Sequence, residues 1–299
     1  MSYLLEFTSP KISLDDFYFY FQGRENYRVS DYQAWYENAD TGAYFGFNYE
    51  KNYSEELGEV IKFYFDINYF RPHFFYTEAA EELRELIEIF KFKCIDTSDP
   101  EERERDFDLD MFSRDWHSGN DFSYHALSAS KDMEDYVFFA VPPEITEEAW
   151  RWNRQRRVLL AQSGNQNKII PRICYISQKN RIYTVCGWSD GLPSIIPKVD
   201  FIFIERNLLA PRKLWRRKSD VAQADFSEVS EKLGGTKEKE GIIYCDTETI
   251  SGEGVKKYIS SLKSASEEFE ILPEEKILDY SKMKNLKFRQ VLYYHSIPQ

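Results

Sequence analysis

The sequence lacks most features by which metal proteins, secreted proteins and membrane proteins are recognised. Its cysteines form no Cys-x-x-Cys pair, so we expect reduced, buried thiols rather than disulfides or a metal site. They are Cys94, Cys174, Cys186 and Cys245. No stretch approaches the ~20 apolar residues that cross a bilayer, and residues 1–7 lack the basic region of a signal peptide. We therefore expect a cytoplasmic protein that does not contact a membrane.

Signatures of nucleotide binding and of serine hydrolases are also missing. The chain has no G-x-G-x-x-G motif and no G-x-S-x-G motif. The glycine pair in Leu233–Lys237 lacks the spacing of a phosphate-binding loop and is better explained as a helix end followed by a charged turn. We expect no cofactor, and these absences favour a binding protein over an enzyme.

Charge is abundant but unevenly distributed along the 299 residues, which have a formal net charge of −12. Residues 1–150 contain 33 acidic and 13 basic side chains, whereas residues 151–299 contain 18 acidic and 26 basic side chains. A chain divided in this way has a long-range field that can steer an oppositely charged partner. Alternatively, the charges keep the protein soluble while the two halves attract each other.

Aromatic residues are concentrated near the N-terminus, where the first 76 positions hold 24 of the 50 Phe, Tyr and Trp residues. Alternation with a period of two predicts strands over 17–21, 43–49 and 61–69. Thr77 is the predicted N-cap of a helix that ends near position 90 and packs on this sheet. Residues 96–135 lose the periodicity and are interpreted as an exposed, partly irregular connection.

A second, smaller unit is predicted to begin near Val137. Its predicted elements are a strand over 137–141, a helix over 146–161, strands at 169–176, 181–186 and 199–205, a helix capped by Asp225, and further short elements toward the C-terminus. The predicted fold class is α+β: an aromatic-rich antiparallel sheet packed by helices, followed by the smaller α+β unit. We assign residues 1–135 to an acidic domain and 136–299 to a basic domain, with one continuous unit as the alternative.

The densest acidic segment lies at the end of the first predicted domain. Its side chains are the candidate partner-binding residues: Glu101, Glu102, Glu104, Asp106, Asp108, Asp110 and Asp115. The run from Asp106 to Asp110 begins like a calcium loop, but Met111 stands where the turn needs Gly and His117 where a bidentate Glu is needed. On a strand, three of these carboxylates would share a face and could hold Mg²⁺. A solvated acidic edge is the simpler interpretation, and we predict no metal site.

Histidine is scarce, and one short segment offers the best local pairing for general acid–base chemistry. His117 and His125 lie near Asp115 and Asp121, either of which could orient an imidazole. The segment contains no obvious nucleophile. A hydrolase-type enzyme with a site around residues 115–125 is therefore kept as the first alternative function.

Two Arg-rich segments, 151–157 and 212–218, interleave cations with Trp. Such a pattern can neutralise phosphates and stack bases, which makes a nucleic-acid-binding module the second alternative. Two observations oppose it: the Trp residues of the first segment are expected in the core, and the net charge of −12 disfavours non-specific binding.

Short strand-and-turn segments resemble those of uncharacterised bacterial proteins that are suspected immunity proteins of polymorphic toxin systems. The segments are Trp35–Phe47, Trp188–Pro193 and Ile196–Asp200, about a tenth of the chain. The resemblance brings no catalytic residues. It implies a non-enzymatic protein that neutralises a cognate toxin, and a basic toxin would be captured by an acidic surface. The oligomeric state is left open.

Overall fold

The computed structural model describes residues 1–8, 12–54, 58–95, 104–133, 135–165, 167–213, 216–217, 219–249 and 252–297. The chain forms two compact units, each built from two stretches of sequence. The first unit is Met1–Phe138 with Glu275–Gln290, and the second is Phe139–Glu274 with Val291–Gln299. We predicted one boundary at residue 135. The division found here differs because the segment 275–290 also belongs to the first unit.

Helices and strands both contribute substantially, and the fold class is α+β as predicted. The strands are β1 (Ser2–Thr8), β2 (Tyr27–Val29), β3 (Gln33–Glu37), β4 (Tyr44–Ser54), β5 (Gly58–Asn68), β6 (Lys93–Ile95), β7 (Glu104–Asp106), β8 (Val137–Val141), β9 (Cys174–Gln178), β10 (Arg181–Ser189), β11 (Ile195–Pro197), β12 (Phe201–Arg206), β13 (Arg212–Lys213), β14 (Arg216–Arg217), β15 (Asp220–Asp225), β16 (Lys237–Lys239), β17 (Ile242–Asp246), β18 (Glu270–Leu272), β19 (Ile277–Asp279) and β20 (Gln290–Tyr294). The helices are α1 (Leu14–Phe21), α2 (Phe74–Phe90), α3 (Leu109–Ser128), α4 (Pro143–Gln162), α5 (Phe226–Lys232), α6 (Gly252–Ser261) and α7 (Tyr280–Met283), with 3₁₀ turns at Lys131–Met133, Thr247–Thr249 and Glu274–Lys276.

The first unit is built on an antiparallel sheet with the strand order β2-β3-β4-β5-β1-β6-β7. The predicted alternation in β4 and β5 is confirmed, because Phe45, Phe47, Phe63 and Phe65 are all buried. Phe47 lies directly opposite Phe65 in the register, so neighbouring strands place their aromatic rings on the same face. Burial of each such ring contributes about 1.5–3 kcal/mol.

Residues 17–21 form part of helix α1 and not a strand, so that prediction was wrong. Ser13 and Asp16 form a reciprocal capping box at the start of the helix, which satisfies free backbone donors. Phe17 and Phe21 are four residues apart and both are buried, whereas Phe19 is 66% exposed. Because every residue from 17 to 21 is aromatic, an apparent period of two could not distinguish a strand from a helix.

The described part of the segment 96–135, which is residues 104–133 and 135, is not mainly irregular, because it contains the 20-residue helix α3. Its buried residues recur at helical spacing: Met111, Phe112, Trp116, Asn120, Ser123 and Tyr124. Asp108 caps the helix by accepting a hydrogen bond from the backbone N–H of Asp110 (2.9 Å). Asp108 and Asp110 therefore mark a helix start and not a coil.

Helix α2 begins at Phe74, one turn before the predicted cap at Thr77. The N-cap residue His73 makes no side-chain capping bond of its own. Its backbone N–H donates instead to the Asp279 carboxylate (2.9 Å), so an acid 206 residues away supplies the cap. No local pattern could predict this arrangement.

The second unit contains a mixed sheet centred on β10, which pairs in parallel with β12 and β20 and antiparallel with β9. The turn between β9 and β10 is formed by Lys179 and Asn180, which have positive φ angles, as a tight hairpin requires. A smaller sheet has the order β11-β17-β16. None of the helices in the described ranges is both long and apolar enough to span a bilayer.

The helical assignment of residues 14–21 is directly testable, because a strand would place Phe17, Phe19 and Phe21 on one face. We expect Phe17→Ala and Phe21→Ala each to lower the free energy of unfolding by about 3–5 kcal/mol, the usual effect of removing a buried ring. Phe19→Ala is expected to stay within about 0.5 kcal/mol of the parent. Urea unfolding followed by circular dichroism measures the difference. Equal losses for all three variants would contradict the helix.

Candidate functional site

The described members of the predicted binding set lie on two consecutive elements of the first unit. Glu104 and Asp106 belong to β7, which is the terminal strand of the sheet within the described strands. Asp108 and Asp110 follow at the start of α3, and Asp115 lies one turn further along. These five residues are named the acidic edge. Glu101 and Glu102 lie outside the described residues.

The side chains of the acidic edge are accessible to solvent. Glu104, Asp106, Asp108 and Asp110 are exposed, and the side chain of Asp115 is 40% exposed. Asp106 lies opposite Lys93 of β6, an opposite-charge pair across the strands. Because a terminal strand has unpaired backbone groups, charged side chains there also oppose unwanted strand addition.

Three members of the acidic edge have local structural contacts. Glu104 accepts a hydrogen bond from the Thr8 hydroxyl (2.7 Å), and Asp115 contacts the Arg114 guanidinium at 3.4 Å. Asp108 is the cap of α3. Asp110 lies in the first turn of α3, where the helix dipole favours negative charge. The acidic edge therefore combines structural roles with an outward negative field.

The outward face of α3 continues beyond the acids with a large apolar side chain. Phe122 is 66% exposed, as Phe19 of α1 is. It lies seven positions after Asp115 and therefore on the same face, about 10 Å further along the helix axis. Ser118 and His125 are exposed on this face as well. A charged region next to an exposed aromatic ring is typical of protein-binding surfaces.

The two compact units differ less in net charge than the two halves of the sequence do. The first unit contains 32 acidic and 18 basic side chains, a net charge of −14, and the second has a net charge of +2. The segment Glu275–Gln290 causes the difference because it brings five Lys and Arg residues into the acidic unit. The first unit still carries the negative field.

The alternative of a magnesium site on a strand is not supported by the geometry. Asp106 ends β7, Asp108 is a helix cap and Asp110 is helical, so the three carboxylates do not share a strand face. Across the described ranges, no three His, Cys, Asp or Glu side chains are grouped so that they could hold a metal ion. Cys94, Cys174, Cys186 and Cys245 are free thiols.

The four residues of the predicted acid–base site all lie on α3, and of these only Asp121, one turn after His117, acts on that histidine. Asp115 and His117 are two positions apart and so point to different sides of the helix. His125 is exposed, whereas His117 is half-buried against the rings of Tyr76 and Trp116. The predicted set of His117, His125, Asp115 and Asp121 is therefore not brought together as one site.

Beside Asp121, three ionisable residues outside the predicted set act on His117. The charged groups that act on it are Lys282 of α7, Asp121 of α3, and the ion pair of His73 with Asp279 (Nδ1 to Oδ1, 3.1 Å). Lys282 also pairs with Asp121 at 2.5 Å. Burial, followed by the cation of Lys282, lowers the pKa of His117. Sequence reasoning missed His73 and Asp279 because no local spacing connects them.

The first Arg-rich segment is largely occupied by contacts within its own unit. Trp152 is buried and donates from Nε1 to the Pro171 carbonyl (2.8 Å), as expected for a core residue. Arg156 donates to the Ile170 carbonyl (2.8 Å), and Arg151 pairs with Glu147 at 3.0 Å. In the second segment, residues 214, 215 and 218 lie outside the described residues, and β13 and β14 form a short hairpin.

Comparison of the chain with protein-family models, with curated proteins and with solved structures gives no match.

Asp108 is predicted to stabilise the first unit through its cap. We expect Asp108→Ala to lower the free energy of unfolding by about 1 kcal/mol, because the N–H of Asp110 loses its acceptor. Asp108→Asn removes the same charge but retains the cap, so it is expected to stay close to the parent. Urea unfolding at neutral pH compares the two. A similar loss in both variants would show that charge, and not capping, is responsible.

His117 is predicted to make the first unit acid-sensitive. Its pKa in the folded protein is below the ordinary value, so its contribution to stability is present above about pH 6.5 and is lost as the pH falls through the folded-state pKa. We expect His117→Gln to show a smaller fall in urea midpoint between pH 7.5 and pH 5 than the parent. His125→Gln, an exposed position on the same helix, is the control. An unchanged pH dependence in His117→Gln would refute the prediction.

Proposed function

We propose that this protein acts by binding a basic protein partner through the acidic edge and not by catalysis. The observation that supports this most directly is the exposure of acidic and aromatic side chains on two consecutive elements. Exposed carboxylates on β7 lead into the start of α3, and the same helix then presents the two-thirds exposed ring of Phe122.

The two parts of this surface have different physical roles. Exposed carboxylates are solvated and screened, so each contributes little to final affinity, but their summed field accelerates the encounter with a basic protein. An aromatic side chain that becomes buried at the centre of an interface contributes to affinity and to the lifetime of the complex. The net charge of −14 on the first unit strengthens the steering field.

The class of partner follows from the resemblance of Trp35–Phe47 and the segments after Trp188 to suspected immunity proteins. We propose that the partner is a cognate bacterial toxin with a basic surface, bound in the cytoplasm where both proteins are made. In this function the chain needs neither a cofactor nor a membrane, and blocking the toxin surface is sufficient.

The test is co-expression of the tagged full-length chain with the product of each adjacent gene, followed by measurement of association kinetics. We expect one basic product to co-purify and to associate faster at 50 mM than at 300 mM salt. Asp106→Lys combined with Asp110→Lys is expected to slow association at low salt by about tenfold or more. Phe122→Ala is expected mainly to accelerate dissociation.

A matched control separates the acidic edge from net charge. Asp15 lies in the first turn of α1 as Asp110 does in α3, and Asp31 is an exposed residue elsewhere in the first unit. Asp15→Lys combined with Asp31→Lys therefore gives the same change in net charge, and we expect it to slow association much less. The proposal fails if no adjacent product binds at low salt, or if both double variants slow association equally.

A further inference from the structure

The second unit contains a small cavity beside α4, at some distance in sequence from every residue of the acidic edge. Its volume is about 80 Å³, several times the ~10–15 Å³ that a single water molecule needs. Ile145, Ala149, Ile173 and Val199 form apolar walls. The cavity can therefore enclose a group of several heavy atoms that has an apolar stem.

The polar floor of the cavity is organised by the carboxylate of Asp200, whose side chain is 18% exposed. Oδ2 accepts from the Thr184 N–H (2.7 Å), the Thr184 hydroxyl (2.8 Å) and the Tyr294 hydroxyl (2.7 Å). Oδ1 contacts His295 Nε2 at 2.8 Å. The His295 ring is stacked on Tyr183 with centroids 5.0 Å apart, which restricts its orientation.

This network determines what the floor can offer to a ligand. A hydroxyl group has one proton, and Tyr294 donates its proton to Asp200, whereas the Thr184 hydroxyl lies within hydrogen-bonding reach of both Asp200 and Tyr294. The Tyr294 oxygen can therefore only accept a further hydrogen bond. A ligand group that enters the cavity is matched if it donates hydrogen bonds and is mismatched if it only accepts them.

The mouth of the cavity is lined by one acid and one base, Glu148 of α4 and Lys198. Both side chains are exposed, and within the described residues neither forms an ion pair. Glu148 and Lys198 also line a smaller adjoining cavity of about 30 Å³. Burial, together with the carboxylates of Asp200 and then Glu148, raises the pKa of Tyr294, so both negative charges act at the hydroxyl on the floor.

We propose that this cavity binds a cationic alkylguanidinium or alkylammonium head, with the Glu148 carboxylate and the Tyr294 oxygen as acceptors and the apolar walls around the stem. Lys198 opposes the bound cation. The same chemistry is offered by a free small amine or guanidine and by a Lys or Arg side chain of a peptide. Because a guanidinium donates several hydrogen bonds in one plane, it matches an acceptor floor better than a neutral amide does.

The experiment uses the full-length chain with ¹³C-labelled Ile methyl groups, because Ile145 and Ile173 report on the cavity wall. Titration with n-butylguanidinium is expected to shift these two resonances, with a dissociation constant on the order of 1 mM for so small a ligand. n-Butylurea has nearly the same shape but no charge, and it is expected to bind at least tenfold more weakly.

Three exposed positions provide variants that are expected to fold. Glu148→Gln should weaken butylguanidinium binding roughly tenfold, the effect of losing one charge-assisted hydrogen bond. Lys198→Gln should strengthen it severalfold, because the repelling charge is removed. Glu144→Gln removes the same charge one turn earlier on α4 and should leave binding within about twofold of the parent.

A pair of capped peptides separates the two sources of the ligand. One peptide is N-acetyl-Gly-Arg-Gly-amide, and the other has citrulline in place of Arg. If the Arg peptide binds more tightly than butylguanidinium and the citrulline peptide binds more weakly than the Arg peptide, the cavity is assigned to a side chain of a protein partner. Free butylguanidinium that binds as tightly or more tightly assigns it to a small molecule. The proposal is overturned if butylurea binds as well as butylguanidinium, or if Glu148→Gln and Glu144→Gln have equal effects.

Discussion

A carboxylate removed from water has to be matched by hydrogen-bond donors, and in the first unit Asp279 imposes this constraint on several elements. Its side chain is only 2% exposed, and it accepts from the backbone of His73 while pairing with the His73 ring. Its backbone N–H donates to the Tyr124 hydroxyl of α3 (3.3 Å). Helix α2 starts where this acid caps it, and Glu78 of the same helix accepts from Tyr36 of the sheet (2.6 Å). The helices and the sheet are thus connected through two buried carboxylates.

The same constraint explains why the first unit is discontinuous in sequence. Asp279 satisfies α2 only if the segment Glu275–Gln290 returns to the first unit after the chain has built most of the second. This return carries cations with it, among them Lys282, which pairs with Asp121 of α3. The charge division that is obvious along the sequence is therefore weaker between the folded units. With this segment included, the first unit still has a net charge of −14.

Sequence patterns predicted the elements whose two faces differ in chemistry. In β4 and β5 the buried Phe residues alternate with polar or small residues, so the period of two was informative. In α1 the alternating residues are all aromatic, and only the Ser13–Asp16 capping box identifies the helix. In α3 the acids obscured a regular apolar stripe that includes Phe112 and Trp116. Because Asp108 is the cap of this helix, the interpretation of its acids as part of an exposed connection was wrong.

The sites were less predictable than the fold, because the residue pairs that form them are distant in sequence. The positions of the acidic edge follow from local composition, although their roles as strand and helix residues do not. The pair of His73 with Asp279 spans 206 residues, and the pair of Asp200 with His295 spans 95. Each pair forms because a buried or half-buried acid needs donors, and the tertiary structure determines which segments supply them.

Exposed and enclosed carboxylates in this protein therefore suit different kinds of recognition. In the proposed complex, water competes at the exposed carboxylates of the acidic edge, so specificity would come from the shape around Phe122 and from the pattern of many charges. At Asp200 the hydroxyl proton of Tyr294 is already directed inward, so in the proposed site the acceptors that face the cavity would select a ligand by its donor geometry. The field of the acidic edge is a sum over many charges, so the loss of any one acid changes it little. The cavity beside Asp200 has few polar groups, and little water is there to replace a lost one, so each of these groups matters.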